Sequence, residues 1–285
     1  MSNDSSVSRR MVLGSGLAAL SLATSKATSA TALDPVRDLP MIYRKLRYST
    51  VDEVVMWWFE GSKYGQQNAQ FRPLYGVETC NWNRVKNLPG GGFAVTVLEC
   101  AFYTDLRSGE VLREMINPYT KQRVTIPYAP VGPITATYDS RSNLIPLEEL
   151  GGSRIKMKTT NGPVRIVGDI VWTQTSNDFQ LVPKAGGATR QVNEWATYMA
   201  SAKELADTSK VKVFPTVDLQ EVTTWPRWLG MEGTPGSLMG RIHGRKVARF
   251  EDMPADFRRR LGEAFPEVAR NPLAALDRAQ ADLVH

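Results

Sequence analysis

Apolar positions along the chain cluster in short β-branched and aromatic runs, each closed by a polar turn rich in glycine, proline or asparagine. The first run, Val54–Tyr64 (VVMWWFEGSKY), predicts a strand. Phe71–Lys86 and Phe93–Leu106 flank Asn87-Leu88-Pro89-Gly90-Gly91-Gly92, a breaker cluster that predicts a hairpin between them. Further runs lie at Val111–Ile116, Arg123–Tyr128, Ile134–Tyr138, Arg154–Thr159, Val164–Gln174, Phe179–Val182, Gln191–Met199, Val211–Thr224 and Leu238–Ile242. Turn chemistry at Arg107-Ser108-Gly109, Asn117-Pro118, Asn161-Gly162-Pro163 and Ala185-Gly186-Gly187 separates them. Many short strands without intervening helices predict a mainly β fold, an antiparallel β-barrel or strongly curved β-sheet. Aromatic residues spread over most of the strands favour that architecture over a flat sandwich.

The period changes near the C-terminal end. Pro254 stands at a first helical turn, and Phe257, Leu261 and Phe265 repeat every fourth residue, the stripe of an amphipathic helix. Pro266 ends or kinks that helix, and Pro272 opens a second piece with Leu273, Leu276 and Leu283. Residues 254–285 are therefore expected to be helical and to cap the sheet. With no internal repeat or low-complexity linker, residues 33–285 read as a single β-rich domain.

Residues 1–32 follow another pattern. Arg9-Arg10 precedes a modestly apolar stretch from Val12 to about Ala23, then small residues ending in Ala30-Thr31-Ala32. Paired arginines, a short apolar region and a small-x-small ending predict a twin-arginine signal peptide, with the export machinery of that route as a partner. The stretch is well short of the ~20 residues that span a bilayer, so no stable membrane anchor is expected. The mature protein is expected to be periplasmic or otherwise exported.

Charge and composition narrow the function classes. The net charge of +6 is mild, and the most basic piece, Arg258-Arg259-Arg260, is interleaved with Asp252, Asp256, Glu263 and Glu267. A nucleic-acid footprint is missing. Two histidines, one of them terminal, and two cysteines make a His- or Cys-rich metal centre hard to build, so no metal and no cofactor is expected. The sequence carries no GxSxG, P-loop, HExxH or dinucleotide fingerprint.

The hairpin supplies the candidate chemistry. With its turn centred near Gly90, facing residues have numbers that add to roughly 180, and side chains alternate between faces. Asn81 then lies opposite Glu99, with Tyr103 farther along the same face. If that face is internal, a carboxylate, an amide and a phenol share an apolar cavity, and burial raises the carboxyl pKa towards the range of a general acid or base. A buried hydrogen-bond network or a solvent face is the alternative for the same residues. Glu78 falls on the other face in this register unless a bulge intervenes. His243, the one internal imidazole, and its neighbour Arg241 complete the catalytic candidates. Seven tryptophans suggest a flat apolar ligand; Trp57, Trp58, Tyr64, Trp172, Trp195, Tyr198, Trp225 and Trp228 are the ligand-binding candidates, core filling being their commoner role. Cys80 and Cys100 face each other in this register, as a disulfide or as two buried thiols.

Several segments together resemble the uncharacterised domain-of-unknown-function family numbered eighteen thirty-eight. They are Pro73-Leu74-Tyr75-Gly76-Val77-Glu78 with Asn81, Tyr103-Thr104-Asp105, Ser108-Gly109-Glu110-Val111-Leu112, Asn117-Pro118-Tyr119-Thr120, and Trp225-Pro226-Arg227-Trp228-Leu229-Gly230-Met231 with Gly236 and Arg241. The resemblance runs over nearly the whole mature chain. It departs after Arg123, where the family pattern carries a histidine and this chain has Ile126-Pro127-Tyr128. It implies a common fold and no established activity. Two functions remain open: a cofactor-independent lyase or isomerase in which Glu99 and Tyr103 move protons on a small apolar or aromatic molecule, and a periplasmic protein that binds such a molecule unchanged.

Overall fold

The computed structural model describes residues 33–150 and 153–281; the expected signal segment 1–32 and Leu283 lie outside the described residues. The chain enters through a helix that the run pattern does not assign, α1 (Leu39–Arg47). Pro40 stands in its first turn, and Ile42, Tyr43 and Leu46 are buried along one side. Then come β1 (Glu53–Gln67), β2 (Gln70–Asn87) and β3 (Phe93–Thr104), a meander of long strands. A small separate pair follows, β4 (Glu114–Ile116) with β5 (Arg123–Thr125). Next are β6 (Val131–Tyr138), β7 (Leu144–Ile145), β8 (Glu149–Leu150), β9 (Ser153–Asn161), β10 (Arg165–Val167), β11 (Ile170–Pro183) and β12 (Arg190–Ser201). The chain finishes with α2 (Ala202–Ala206), β13 (Thr216–Thr223), β14 (Ser237–Val247), α3 (Ala255–Ala264), α4 (Pro266–Arg270) and α5 (Pro272–Ala281).

All pairings are antiparallel, in the order β7-β6-β3-β2-β1-β14-β13-β12-β11-β9-β8, with β10 beside β11. Pairing of β14 with β1 places the last strand beside the first, and the sheet curls into a nearly closed barrel. The β2–β3 register follows the expected sum, with Val77 opposite Tyr103, Cys80 opposite Cys100 and Asn81 opposite Glu99.

Four expectations are corrected. Val164–Gln174 is not one strand: Gly168, at φ +59°, turns the chain between β10 and β11, and Phe179–Val182 is the continuation of β11. Val111–Ile116 and Arg123–Tyr128 shorten to β4 and β5 because they pair with each other, and Val111 makes only a bridge to Thr104. Val211–Thr224 becomes a strand only at Thr216. Finally, two helices interrupt the β pattern, α1 before the sheet and α2 between β12 and β13.

The two faces of the wall bury different things. Outside, Cys80, Trp82, Leu98, Cys100 and Phe102 lie under Phe257, Leu261, Phe265 and Leu276 of the C-terminal helices. The expected stripe is thus the covering layer of the main apolar core, while Leu273 is exposed. Inside, one end holds Val55, Trp57, Val95, Tyr138 and Val217, and the other Tyr75, Trp225, Leu229, Met231 and Leu238. Among the described residues, no helix is long and apolar enough to cross a membrane.

Lysines fasten α1 and α2 at the first of these ends. Lys246, on the inner face of β14, donates to the carbonyls of Lys45 (2.8 Å) and Tyr48 (2.9 Å) at the end of α1. Lys45 in turn donates to the Leu205 (3.2 Å) and Asp207 (2.8 Å) carbonyls that finish α2. Cations placed on helix C-terminal carbonyls satisfy orphan acceptors and suit the dipole. The Trp57 indole donates to the Arg47 carbonyl (3.1 Å), which anchors the end of α1 to β1.

Candidate functional site

Strand alternation decides which residues share the lumen. Residues paired across antiparallel strands lie on the same face, so the inward set can be followed from strand to strand. One row runs Tyr75, Lys63, Gly240, Glu221, Glu194, Asn177 and Thr159 through β2, β1, β14, β13, β12, β11 and β9. Gly240 is the gap that makes the row work. A Cβ there would lie 2.7 Å from Glu221 Cγ and 3.1 Å from Lys63 Nζ. With only hydrogen in that place, Lys63 reaches across β14 and pairs with Glu221. Glu194 accepts from the Asn177 amide (3.2 Å), which itself accepts from the Thr159 hydroxyl (2.9 Å).

Glu99 enters this polar belt from β3, on the same face as Tyr103 and opposite Asn81. Its side chain is on the lumen face and largely buried, and it is not among the residues that line the wide cavity. Burial, reinforced by the carboxylates of Glu194 and Glu221, pushes its pKa up to about 7, while Lys63 and the Thr79 hydroxyl pull the other way. Thr79 acts without completing a hydrogen bond of standard geometry: its Oγ1 and Asn81 Oδ1 are buried without a protein partner. Burial, then Glu221, raises the Glu194 pKa as well. Glu99 therefore holds a proton near neutral pH that an ordinary glutamate would have lost. Burial and the Glu99 and Glu221 carboxylates push the Tyr103 phenol up to about 12, so it stands as a neutral donor.

Beyond Tyr103 the lumen widens into a cavity of about 850 Å³, lined by Tyr75, Tyr103, Lys63, Glu221, Arg190, Trp225 and Trp228 among others. Tyr75, Tyr103 and Trp228 form an aromatic cluster, with ring centroids 5.0 Å, 5.7 Å and 5.9 Å apart. This mouth gathers several of the segments that carried the family resemblance. Asn117 donates to the Leu229 carbonyl (2.7 Å), and Tyr119 packs edge-on against Trp225. Where the chain departs from the family pattern, Pro127 lines the cavity and Tyr128 donates to the Tyr103 carbonyl (3.1 Å).

The candidate residues therefore divide. Glu99, Tyr103 and Asn81 meet inside, Trp225 and Trp228 lie at the cavity, and Trp57 and Tyr198 pack edge-on in the lumen towards α1. Glu78, Arg241 and His243 are on the outer face. Glu78 is ion-paired to Arg260 of α3, and His243 Nδ1 lies 3.3 Å from Asp218 in a shallow outer groove of about 340 Å³. Trp58, Tyr64, Trp172 and Trp195 also point outward, Trp58 beneath the C-terminal helices and Trp172 and Trp195 largely exposed. Successive residues of a pleated strand cannot both face in, so Trp57-Trp58 could supply only one lumen side chain. Cys80 and Cys100 are free, buried thiols.

Lys63, Glu194, Glu221 and Tyr75 belong to the site but are not among the sequence candidates. Parity would have found them: Lys63 shares the parity of Trp57, and Glu221 continues Val217 and Leu219. Among the described residues, no cluster of three or more His, Cys, Asp or Glu side chains has metal-binding geometry.

A comparison with curated proteins finds no match. The sequence pattern of one family, described as "Protein of unknown function (DUF1838)", matches residues 52–282, nearly the whole chain beyond α1, and the chain belongs to that family.

Proposed function

We propose that the barrel takes up a small apolar or aromatic molecule and moves a proton on it, as a cofactor-independent lyase or isomerase does. The observation that carries this reading is Glu99, a largely buried carboxyl with a pKa of about 7, on the same face as a phenol that lines an aromatic cavity. A group titrating near neutrality can both take and return a proton, and the neutral Tyr103 hydroxyl can donate to an oxygen that gains charge. Asn81 lies opposite Glu99 and offers an amide to the same face. Mass spectrometry of molecules that co-purify with the protein identifies the ligand class. Glu99→Gln keeps the shape and removes the proton, and should lower turnover of that ligand on the order of 10²–10⁴-fold. Turnover at the wild-type rate would end the catalytic assignment and leave a binding protein.

We also infer that the site works outside the cytoplasm, supported by the Arg9-Arg10 pair, the short apolar stretch and the Ala30-Thr31-Ala32 ending. Replacing both arginines with lysine should retain the precursor in the cytoplasm. Normal periplasmic accumulation of that variant would remove the export reading.

A further inference from the structure

We propose that Arg47 binds an anionic group on the molecule held in the barrel, so that the ligand class is a small aromatic or apolar carboxylic acid. The inference rests on the lumen being a ligand site and adds the chemistry of the ligand. Arg47 is the last residue of α1, the helix at the end of the barrel away from the wide cavity. Its main chain is fixed by the Trp57 indole. Its guanidinium lies over the rings of Tyr48 (5.2 Å) and Tyr138 (5.9 Å), the latter on the inner face of β6.

What sets Arg47 apart is its lack of a counter-charge. The other enclosed cations are satisfied: Lys45 and Lys246 by helix-end carbonyls, Lys63 by Glu221, Arg260 by Glu78. Among the described residues, Arg47 makes one side-chain hydrogen bond of standard geometry, to the Tyr48 hydroxyl (3.2 Å), and no ion pair. Glu194 feels the Arg47 charge from a distance, but its carboxyl is engaged by Asn177. An enclosed charge without a partner costs several kcal/mol unless something compensates it. Arg190 at the cavity mouth also lacks an ion pair among the described residues, but it is exposed, and water balances its charge.

The surroundings suit a carboxylate. A guanidinium presents a planar fork that matches two carboxylate oxygens. Tyr48 and Tyr138, whose hydroxyls are hydrogen-bonded at 2.8 Å, add polar groups beside the fork, and their rings offer an apolar bed for the rest of the molecule. Glu194 is the electrostatic link between this end and Glu99, since it interacts with both Arg47 and Glu99.

The test compares 4-phenylbutyrate with 4-phenylbutanol, matched in shape and different in charge, by calorimetry and tryptophan fluorescence at neutral pH. The wild-type protein should bind the acid at least ~10-fold more tightly than the alcohol, the scale of a charge-assisted hydrogen bond. Arg47→Met should abolish that preference and leave alcohol binding in place, and Arg47→Lys, which keeps the charge but loses the fork, should retain part of it. Equal binding of acid and alcohol by the wild type overturns the proposal while leaving the apolar cavity reading intact, and needs no variant to fold. A preference that survives Arg47→Met and disappears in Arg190→Met places the anion at the mouth and also overturns it. Binding of neither compound removes both readings.

Discussion

The two faces of the β2–β3 hairpin are made from alternating residues of the same two strands, yet they solve opposite problems. The outward set, Cys80, Trp82, Leu98, Cys100 and Phe102, meets the C-terminal helices in the main apolar core. The inward set includes Thr79, Asn81, Glu99 and Tyr103, and meets a belt of charged and amide side chains. In most sandwiches and small barrels the apolar core is between the sheets or within the barrel. Here a large share of it lies outside the wall. The middle of the lumen, between its two apolar ends, can thereby hold polar groups whose burial is costly. Stability and chemistry are assigned to different faces of one element, and substitutions on the two faces should differ in kind.

The largest expected effect is on the outer face. Phe257 is fully buried and packs edge-on against Phe102, with ring centroids 5.5 Å apart. Phe257→Ala removes a large side chain from a layer that α3 cannot easily collapse, and should cost about 3–5 kcal/mol. Urea denaturation would measure the loss. If the comparison holds, the folded fraction keeps a Glu99 that titrates near 7, read by the pH dependence of its carboxyl signal in NMR. A Glu99 pKa that falls to the ordinary carboxylate range in a folded Phe257→Ala protein would show that the faces are not independent.

A smaller effect, opposite in sign, is expected inside. The folded protein holds the Glu99 proton up to about pH 7, whereas the unfolded chain releases it near the ordinary value of 4.5. Between those values the native state binds the extra proton, so this residue lowers stability as pH rises and its cost is complete above 7. Glutamine does not titrate. Glu99→Gln should therefore gain stability relative to wild type between pH 5 and pH 8, by on the order of 2–3 kcal/mol. Thermal or urea unfolding at the two pH values tests it, since Glu194 and the other titrating groups remain in both proteins. Parallel curves would mean that Glu99 is better solvated than its burial implies.

Much of this division was legible in the chain, because it depends on parity. The breaker cluster at Asn87–Gly92 fixes where the hairpin turns, and from it follow the pairing of Asn81 with Glu99 and the separation of Glu78 from them. The stripe Phe257, Leu261 and Phe265 likewise announced a covering helix. Less could be read where partners come from remote strands. Lys63 pairs with Glu221, which is 158 positions away, and the pair exists because Gly240 leaves room between them. Local sequence could show an inward lysine but not its partner. In α1, Leu39, Ile42, Tyr43 and Leu46 stand at helical i, i+3, i+4, i+7 spacing, a local signal that a reading by strand-like runs passes over. That helix is stabilised by long-range lysine contacts that no local pattern reports. The tryptophans misled for a different reason: aromatic residues suit strands on either face, so composition could not assign Trp172 and Trp195 to the outside.

The smallest expected effect sharpens the comparison most, because it concerns a second glutamate on the same hairpin. Glu78 sits opposite Phe102 on the outward face. It is ion-paired to Arg260 of α3, whose guanidinium also donates to the Gly109 carbonyl (3.1 Å). Both side chains are partly buried at the rim of the helical layer, so the pair retains some strength against solvent screening but does not carry the fold. Glu78→Gln keeps a carbonyl acceptor for Arg260 and removes the charge, and should cost about 1 kcal/mol, read as a small drop in the urea midpoint at unchanged slope. Ligand turnover should stay at the wild-type level, since Glu78 lies on the outer face of the wall. Glu99→Gln should do the reverse on each count. A Glu78→Gln protein with unchanged stability and lost turnover would exchange the roles of the two faces. The outer groove that holds Glu78 and His243 would then become the place to look for the reaction.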